Sequence, residues 1–199
     1  MERINDLLFL VINASAHPPV PVLTTALFLA NWLVPLAVLL FITLWVRTST
    51  NARGSLLTAT VVMLIGLGVN QLLGAIYFHP RPFMIGLGHQ YLPHLPDNSF
   101  PSDHATFLWS LGFALLILGH LRRWGAVLVL AGLAIAWARV YVGVHFPFDM
   151  LGSLIVSLVV AGFARILSGP LLKWVLMPCN SLYIRLIVAL HLPPVLFPR

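Results

Sequence analysis

The sequence predicts an all-α fold, a single polytopic membrane bundle of five to six transmembrane helices, and three observations lead there. Apolar residues make up 60% of the 199 and charged ones only 8%, more apolar surface than one core of this size encloses, so the surrounding solvent is lipid. Residues 22–46, 56–77, 101–120, 124–143 and 150–167 are dominated by apolar side chains. Each runs about 18–25 residues, enough for a helix to cross roughly 30 Å of hydrocarbon. Basic residues gather at alternate connections: Arg47 with Arg53, Arg122 with Arg123, and Arg165 with Lys173. With five spans those connections share one face, which the positive-inside rule makes cytoplasmic.

Residues 1–20 come first. "LLFLVINASAH" has a short apolar core followed by Ala14-Ser15-Ala16, which looks like a signal-peptidase site, but Glu2 and Asp6 offset Arg3 before it. An uncleaved helix lying at the outer interface is the expectation. The five-span core occupies residues 22–167, and residues 170–199 form either an interfacial helix or a sixth span, since Pro178 and Arg185 interrupt the apolar run. Repeats and low-complexity linkers are absent. The net charge of +6 is a topology signal and calls for no nucleic-acid partner. A lone cysteine, Cys179, allows no internal disulfide.

The scarce ionisable groups are unevenly placed. Of five acidic residues, Asp97, Asp103 and Asp149 lie in or beside the two outward connections, as do His79, His89, His94, His104 and His145. Arg81 and Arg139 sit toward the same face. Ionisable groups at membrane depth are costly and usually line a functional cavity.

Three segments carry the chemistry: "FHPRPF" (78–83), "FPSDH" (100–104) and "ARVYVGVHFPFD" (138–149). In the second, Pro101 suits a first helical turn, so that the helix N-terminus and the Ser102 hydroxyl offer donors to an anion, with His104 close by. The plainer reading is a helix cap with an interfacial histidine. In the third, Pro147 suits the first residue of the next helix, leaving His145 just before it and Asp149 within its first turn. A carboxylate on one imidazole nitrogen fixes the tautomer and frees the other nitrogen to attack. Alternatively, Asp149 only caps its helix. Arg81, stiffened by Pro80 and Pro82, is otherwise a snorkelling interface arginine. Taken together, two guanidinium forks, a helix N-terminus and two histidines suit one ligand, a phosphate, with one imidazole attacking phosphorus and the other protonating the departing oxygen.

These segments resemble the signature of the PAP2 (type 2 phosphatidic acid phosphatase) superfamily, which includes vanadium haloperoxidases. Arg81-Pro82, Pro101-Ser102-x-His104, and Arg139, His145 and Asp149 match its three motifs in order and spacing. The resemblance covers about residues 72–152 and implies a helical bundle of that type. It implies that His145 is the nucleophile that becomes phosphohistidine and that Asp149 orients it. By the same resemblance His104 is general acid and then base, and Arg81, Ser102 and Arg139 bind the phosphoryl oxygens. No metal or other cofactor is expected. A zinc site from His104, His145 and Asp149 is disfavoured by the two neighbouring cations.

The chain also departs from the pattern. The family's first-motif lysine would fall at Gly74, Asp103 replaces a glycine, and Ala138 replaces a serine. His79 is a secondary candidate for the missing positive charge. Asp103 is a second, either pairing with Arg81 or favouring protonated His104, against a plain capping role. Asp97 reads as a solvated loop carboxylate, and His89 and His94 as surface residues of the same loop or, alternatively, as residues that close it over a head group. Asn31, Asn70 and Gln71 within spans read as interhelical glue or as the lining of a path.

The short length and the Pro-Ser-Asp-His variant resemble the bacterial undecaprenyl-diphosphate phosphatases of the superfamily. The expectation is a multi-pass protein of the bacterial cytoplasmic membrane, its active site facing outward, acting on a polyprenyl diphosphate among membrane lipids. Two alternatives stand beside it. One is a phosphatase or phosphotransferase for another lipid phosphate, such as phosphatidylglycerophosphate or phosphatidic acid. The other, from a different class, is a polyprenyl-phosphate transporter or binder. Haloperoxidase activity is not expected, since those relatives are soluble.

Overall fold

Long apolar runs leave the backbone no choice but to satisfy its own hydrogen bonds, and the described residues are mainly helical. The computed structural model describes residues 2–190, which contain no strand. In chain order the helices are α1 (Glu2–Ile12), α2 (Val20–Arg47), α3 (Thr50–Ile76), α4 (Asp103–Leu118), α5 (Arg122–Tyr141), α6 (Pro147–Gly162), α7 (Ala164–Leu171) and α8 (Met177–Ala189). A 3₁₀ turn at Pro82–Ile85 interrupts the α3–α4 connection, and a π-helical turn at Leu172–Leu176 joins α7 to α8.

Helix α4 stands at the centre, packed by α3, α5 and α6. Its buried Leu108, Leu111 and Leu115 belong to one cluster with Leu56, Ala59 and Val62 of α3 and Val160 and Ala161 of α6. Polar side chains stitch the same helices together. Asn70 Nδ2 donates to Asp103 Oδ1 at 2.8 Å and Thr106 Oγ1 at 3.0 Å, and Gln71 Nε2 donates to Asp103 Oδ2 at 3.1 Å. Interhelical bonds of this kind average about 0.6 kcal/mol in membrane proteins. Asp103 therefore pairs with α3 amides, neither with Arg81 nor with His104. Asn31 bonds within its own helix, to Leu27 O.

Helix α2 buries small residues, Ala26, Ala30 and Ala37, while Phe28, Trp32, Leu36, Leu39 and Ile42 stay exposed. Large apolar groups outward and small ones inward is the pattern of a helix solvated by lipid. Among the described residues four helical stretches are long and apolar enough to cross a membrane: Val20–Arg47, Thr50–Ile76, Arg122–Tyr141 and Ala164–Ala189. Two expected span boundaries need correction. Residues 101–120 yield a helix only from Asp103 to Leu118, and the stretch expected at 150–167 breaks after Gly162. The resulting α4 and α6 have 16 residues each, about 24 Å, short of the hydrocarbon thickness. Central α4 is shielded by its neighbours and need not match the bilayer.

Pro101 lies outside α4, contrary to its expected place in the first turn. Ser102 has extended dihedrals, φ −76° and ψ 117°, and its carbonyl takes the first helical bond, from Thr106 N–H at 3.0 Å. Ser102 is thus the N-cap.

The α3–α4 and α5–α6 connections share one end of the bundle with α1. Phe9 of α1 packs on Phe146 with ring centroids 5.3 Å apart, and Asn5 Oδ1 accepts the Phe148 N–H at 3.0 Å. Asn13 receives the His89 N–H at 2.8 Å and donates to His89 O at 2.9 Å, tying the long loop to α1. Gly143 makes the α5–α6 turn possible. Its φ is +84°, and a Cβ there would collide with His89 O.

Arg47, Arg122, Arg123 and Arg165 lie at the opposite end. Arg53, which the sequence puts in a connection with Arg47, sits inside α3, fully buried. Its Nη1 donates to Asn180 Oδ1 at 2.7 Å and its Nε to Trp45 O at 2.9 Å, and its guanidinium lies 4.2 Å from the Tyr183 ring centre. The α7–α8 run meets the bundle through this end: Arg165 donates to Ile117 O at 3.3 Å, and Leu172 and Leu176 cover Gly54. Residues 191–199 of the expected C-terminal segment lie outside the described residues.

Candidate active site

The two site-end connections enclose a cavity of about 430 Å³. Its lining includes Arg81, His94, Asp97, His104, Arg139 and His145, with Asn70, Gln71 and Gly74 along the α3 side. Residues far apart in sequence converge here because α4 begins, and α5 ends, at the same level.

His145 sits in the turn between α5 and α6 and is 2% exposed. Its Nδ1 lies 3.2 Å from Asp149 Oδ2, one helical turn along. Its Nε2 lies 3.0 Å from Arg81 Nη1. A guanidinium only donates, so Nε2 carries the lone pair and Nδ1 the proton, which goes to Asp149. Burial pushes the His145 imidazole down to about 3; the Asp149 hydrogen bond opposes this, while the charges of Arg139 and Arg81 add to it. A neutral ring with a free lone pair is the nucleophilic state.

Asp149 does both things that its position in the sequence left open. Oδ2 caps α6 by accepting the Phe146 N–H at 2.7 Å, and the same oxygen faces His145. It also accepts a hydroxyl bond from Ser99 at 2.5 Å. Ser99 is fully buried and lies 3.4 Å from His145 Nδ1. Sequence reasoning gave Ser99 no role, and only its place in a polar cluster beside the second motif hinted at one.

Arg139 projects from the last turn of α5 and is 2% exposed, and its Nε and Nη2 are buried without a partner. Ser102 is fully buried, with an unpartnered Oγ. Ser102 does not itself line the cavity but lies in the wall formed by its chain neighbours Pro101, Asp103 and His104. Buried donors without acceptors cost about 1–3 kcal/mol each. Three donor atoms of this kind beside two histidines suit an oxyanion.

Arg81 differs from Arg139. Nε donates to Asp97 Oδ1 at 2.7 Å, Nη1 to Val144 O at 2.7 Å, and Nη2 to Asn98 O at 3.0 Å. Asp97 is thus the ion-pair partner of a buried arginine, which corrects its reading as a merely solvated loop residue. His94 also lines the cavity, its Nδ1 3.6 Å from the same Asp97 oxygen. Burial lowers the His94 imidazole, against a hydrogen bond to Leu95 O.

His79 does not line the cavity. It faces Asp149 Oδ1 at 3.5 Å and packs against Phe146, and the Asp149 carboxylate raises its basicity. From there it faces Asp149 rather than the cavity that Arg81 and Arg139 line. At the lysine's expected position, a Cβ on Gly74 would lie 2.7 Å from Asn98 Nδ2. Asn98 fills that space, held by the His79 N–H on its Oδ1 at 2.7 Å and by its own donation to Phe100 O.

Comparison with known proteins agrees with this architecture. The PAP2 superfamily profile matches residues 55–171. The chain is 36% identical over 160 residues to YbjG of Escherichia coli (strain K12), provisionally named an undecaprenyl-diphosphatase, covering 80% of each. It is 33% identical to the undecaprenyl-diphosphatase BcrC of Bacillus subtilis (strain 168), covering 77% of this chain and 78% of BcrC. Among solved structures, Aquifex aeolicus LpxE superposes with a TM-score of 0.60 at 23% identity, over 81% of this chain and 94% of LpxE. The matched profile, the two relatives and the helical architecture agree, and the chain belongs to the PAP2 superfamily as a multi-pass membrane phosphatase.

Proposed function

We propose that the protein hydrolyses undecaprenyl diphosphate to undecaprenyl phosphate and inorganic phosphate through a phosphohistidine intermediate. The observation that carries this reading is the set of unpartnered buried donors on Arg139 and Ser102 beside a neutral His145 whose Nδ1 is held by Asp149. The names of YbjG and BcrC support the choice of lipid.

In the first step His145 Nε2 attacks the terminal phosphorus as the bond to the bridging oxygen breaks. His104 gives its proton to that oxygen, and the lipid monophosphate leaves. Asp149 stabilises the imidazolium as it forms. Arg139, Ser102 and Arg81 meet the charge on the equatorial oxygens, where donors fixed in advance act most strongly. In the second step His104 takes a proton from water, whose oxygen attacks phosphorus and frees His145. The basic residues at the opposite end support a cavity that opens at the outer face of a bacterial cytoplasmic membrane, by the positive-inside rule.

The test is phosphate release from undecaprenyl diphosphate by purified protein in detergent with a chelator present. Steady turnover, reduced by about 10³-fold or more in His145→Ala, is expected for a histidine nucleophile. Binding without turnover, unaffected by that substitution, would instead indicate a lipid carrier. Parallel assays with phosphatidylglycerophosphate and phosphatidic acid separate the substrates.

A further inference from the structure

We infer that Asp97 is a specificity-determining residue, an internal anion that holds Arg81 in the free enzyme and yields it to a phosphoryl group. The inference rests on the phosphatase reading above.

The two cavity arginines are in opposite conditions. Arg139 keeps Nε and Nη2 unpartnered, whereas Arg81 has both atoms of the same planar edge engaged, Nε by Asp97 Oδ1 at 2.7 Å and Nη2 by Asn98 O at 3.0 Å. That edge is the one which grips a carboxylate or a phosphate with two parallel bonds. An anion can gain the grip only if Asp97 lets go of Nε and the Asn98 carbonyl gives up Nη2. Asp97 is placed for this: its side chain is 56% exposed at the cavity mouth, while that of Arg81 is only 6% exposed. The remaining Arg81 group, Nη1, is fixed by Val144 O at 2.7 Å and contacts His145 Nε2 at 3.0 Å. Arg81 therefore keeps these contacts when Asp97 lets go, and its present pose covers the nitrogen that attacks. Turning the guanidinium toward a phosphoryl oxygen breaks the Nη1 contacts in turn and frees that nitrogen.

The charged groups on either side of Asp97 explain what it selects. Arg81 and Arg139 together would hold a small phosphate dianion firmly, and inorganic phosphate is the last product to leave. Asp97 competes with that dianion for Arg81 and speeds its departure. A diphosphate carries more charge and is anchored by its lipid, so it displaces Asp97 where free phosphate does so poorly.

The experiment compares wild type with Asp97→Asn and Asp97→Glu in detergent, using inorganic phosphate as probe. Asparagine keeps an oxygen for Arg81 Nε but removes the charge, and glutamate restores the charge. The inhibition constant of phosphate against lipid diphosphate hydrolysis is expected to fall about tenfold in Asp97→Asn and to return to within threefold of wild type in Asp97→Glu. Direct titration of phosphate into each protein, read by calorimetry, gives the same comparison without turnover. Equal or weaker phosphate binding by Asp97→Asn overturns the inference, because Asp97 would then only prop Arg81. Wild-type protein that binds phosphate but never releases it from lipid diphosphate contradicts the phosphatase reading instead.

Discussion

The Asp149 carboxylate lies 3.2 Å from Nδ1 of His145 and leaves that ring's Nε2 to Arg81, 3.0 Å away. The relationship costs the helix nothing, because the same Asp149 oxygen accepts the Phe146 N–H that opens α6. Capping and orientation of the imidazole are one contact.

Asp149→Asn keeps the side chain's size and can keep the cap but exchanges an acceptor for an amide. The histidine then loses both its tautomeric preference and the charge that supports its imidazolium. A fall in kcat of about 10³-fold or more is expected, measured as phosphate release from undecaprenyl diphosphate. Loss below tenfold would show that the carboxylate is only a cap.

Ser99→Ala removes one of the donors on Asp149 Oδ2 and leaves the others. A buried hydrogen bond to a charged group contributes about 1.5–3 kcal/mol. Part of that loss is expected to appear as a fall in kcat of about tenfold, with KM within threefold of wild type, in steady-state assays. A change confined to KM would place Ser99 against the substrate instead.

Gly74→Lys would restore the residue that the family pattern places there. Asn98 blocks it, since a Cβ at residue 74 lies 2.7 Å from Asn98 Nδ2 and that side chain is pinned at both ends. Overpacking of this sort costs about 1–3 kcal/mol. Lower thermal stability and at least tenfold lower activity are expected, since Asn98 adjoins both Asp97 and Ser99. Higher activity would mean that the lysine's place is open.

The pH dependence follows from His145. Its ordinary value of 6.5 is pushed down to about 3, chiefly by burial, so the ring stays neutral as pH falls through the range where free imidazole titrates. An imidazole with the ordinary value would be about 97% protonated at pH 5 and unable to attack. The His145 ring is expected to stay neutral between pH 7 and pH 5, read from its imidazole nitrogen resonances in labelled protein. A protonation step in those resonances over that interval would mean that His145 titrates near its ordinary value.

Much of this site is legible in the sequence because its residues sit at fixed offsets on helix ends. His145 and Asp149 are four apart across a proline that starts a helix, and Ser102 and His104 flank the start of α4. Arg139 needs only its place near the end of an apolar run. The loop residues are another matter. Asp97 meets Arg81 across 16 residues that have no repeating pattern, and Ser99 reaches Asp149 across 50. No spacing rule relates such pairs, because a loop's path is set by what it packs on, here Asn13 just after α1 and Val142 at the end of α5. Asp103 shows a similar limit from within a helix. Its partners Asn70 and Gln71 depend on the rotation of α3 against α4, which two apolar runs do not reveal. The start of α4 departs from the sequence pattern for a local reason: Pro101 satisfies the usual preference for a first helical turn, yet Ser102, with its extended backbone, caps the helix one residue later.

The most direct measurement is the chemical fate of the terminal phosphate. Protein mixed with undecaprenyl diphosphate labelled at that phosphate, quenched in alkali within one turnover and digested, is expected to carry the label on the peptide containing residue 145. Asp149→Asn would accumulate far less of it. Normal turnover with no label on His145, or label on another residue, would contradict the proposed convergence of Arg81, Ser102, His104, Arg139 and His145 on one phosphorus atom.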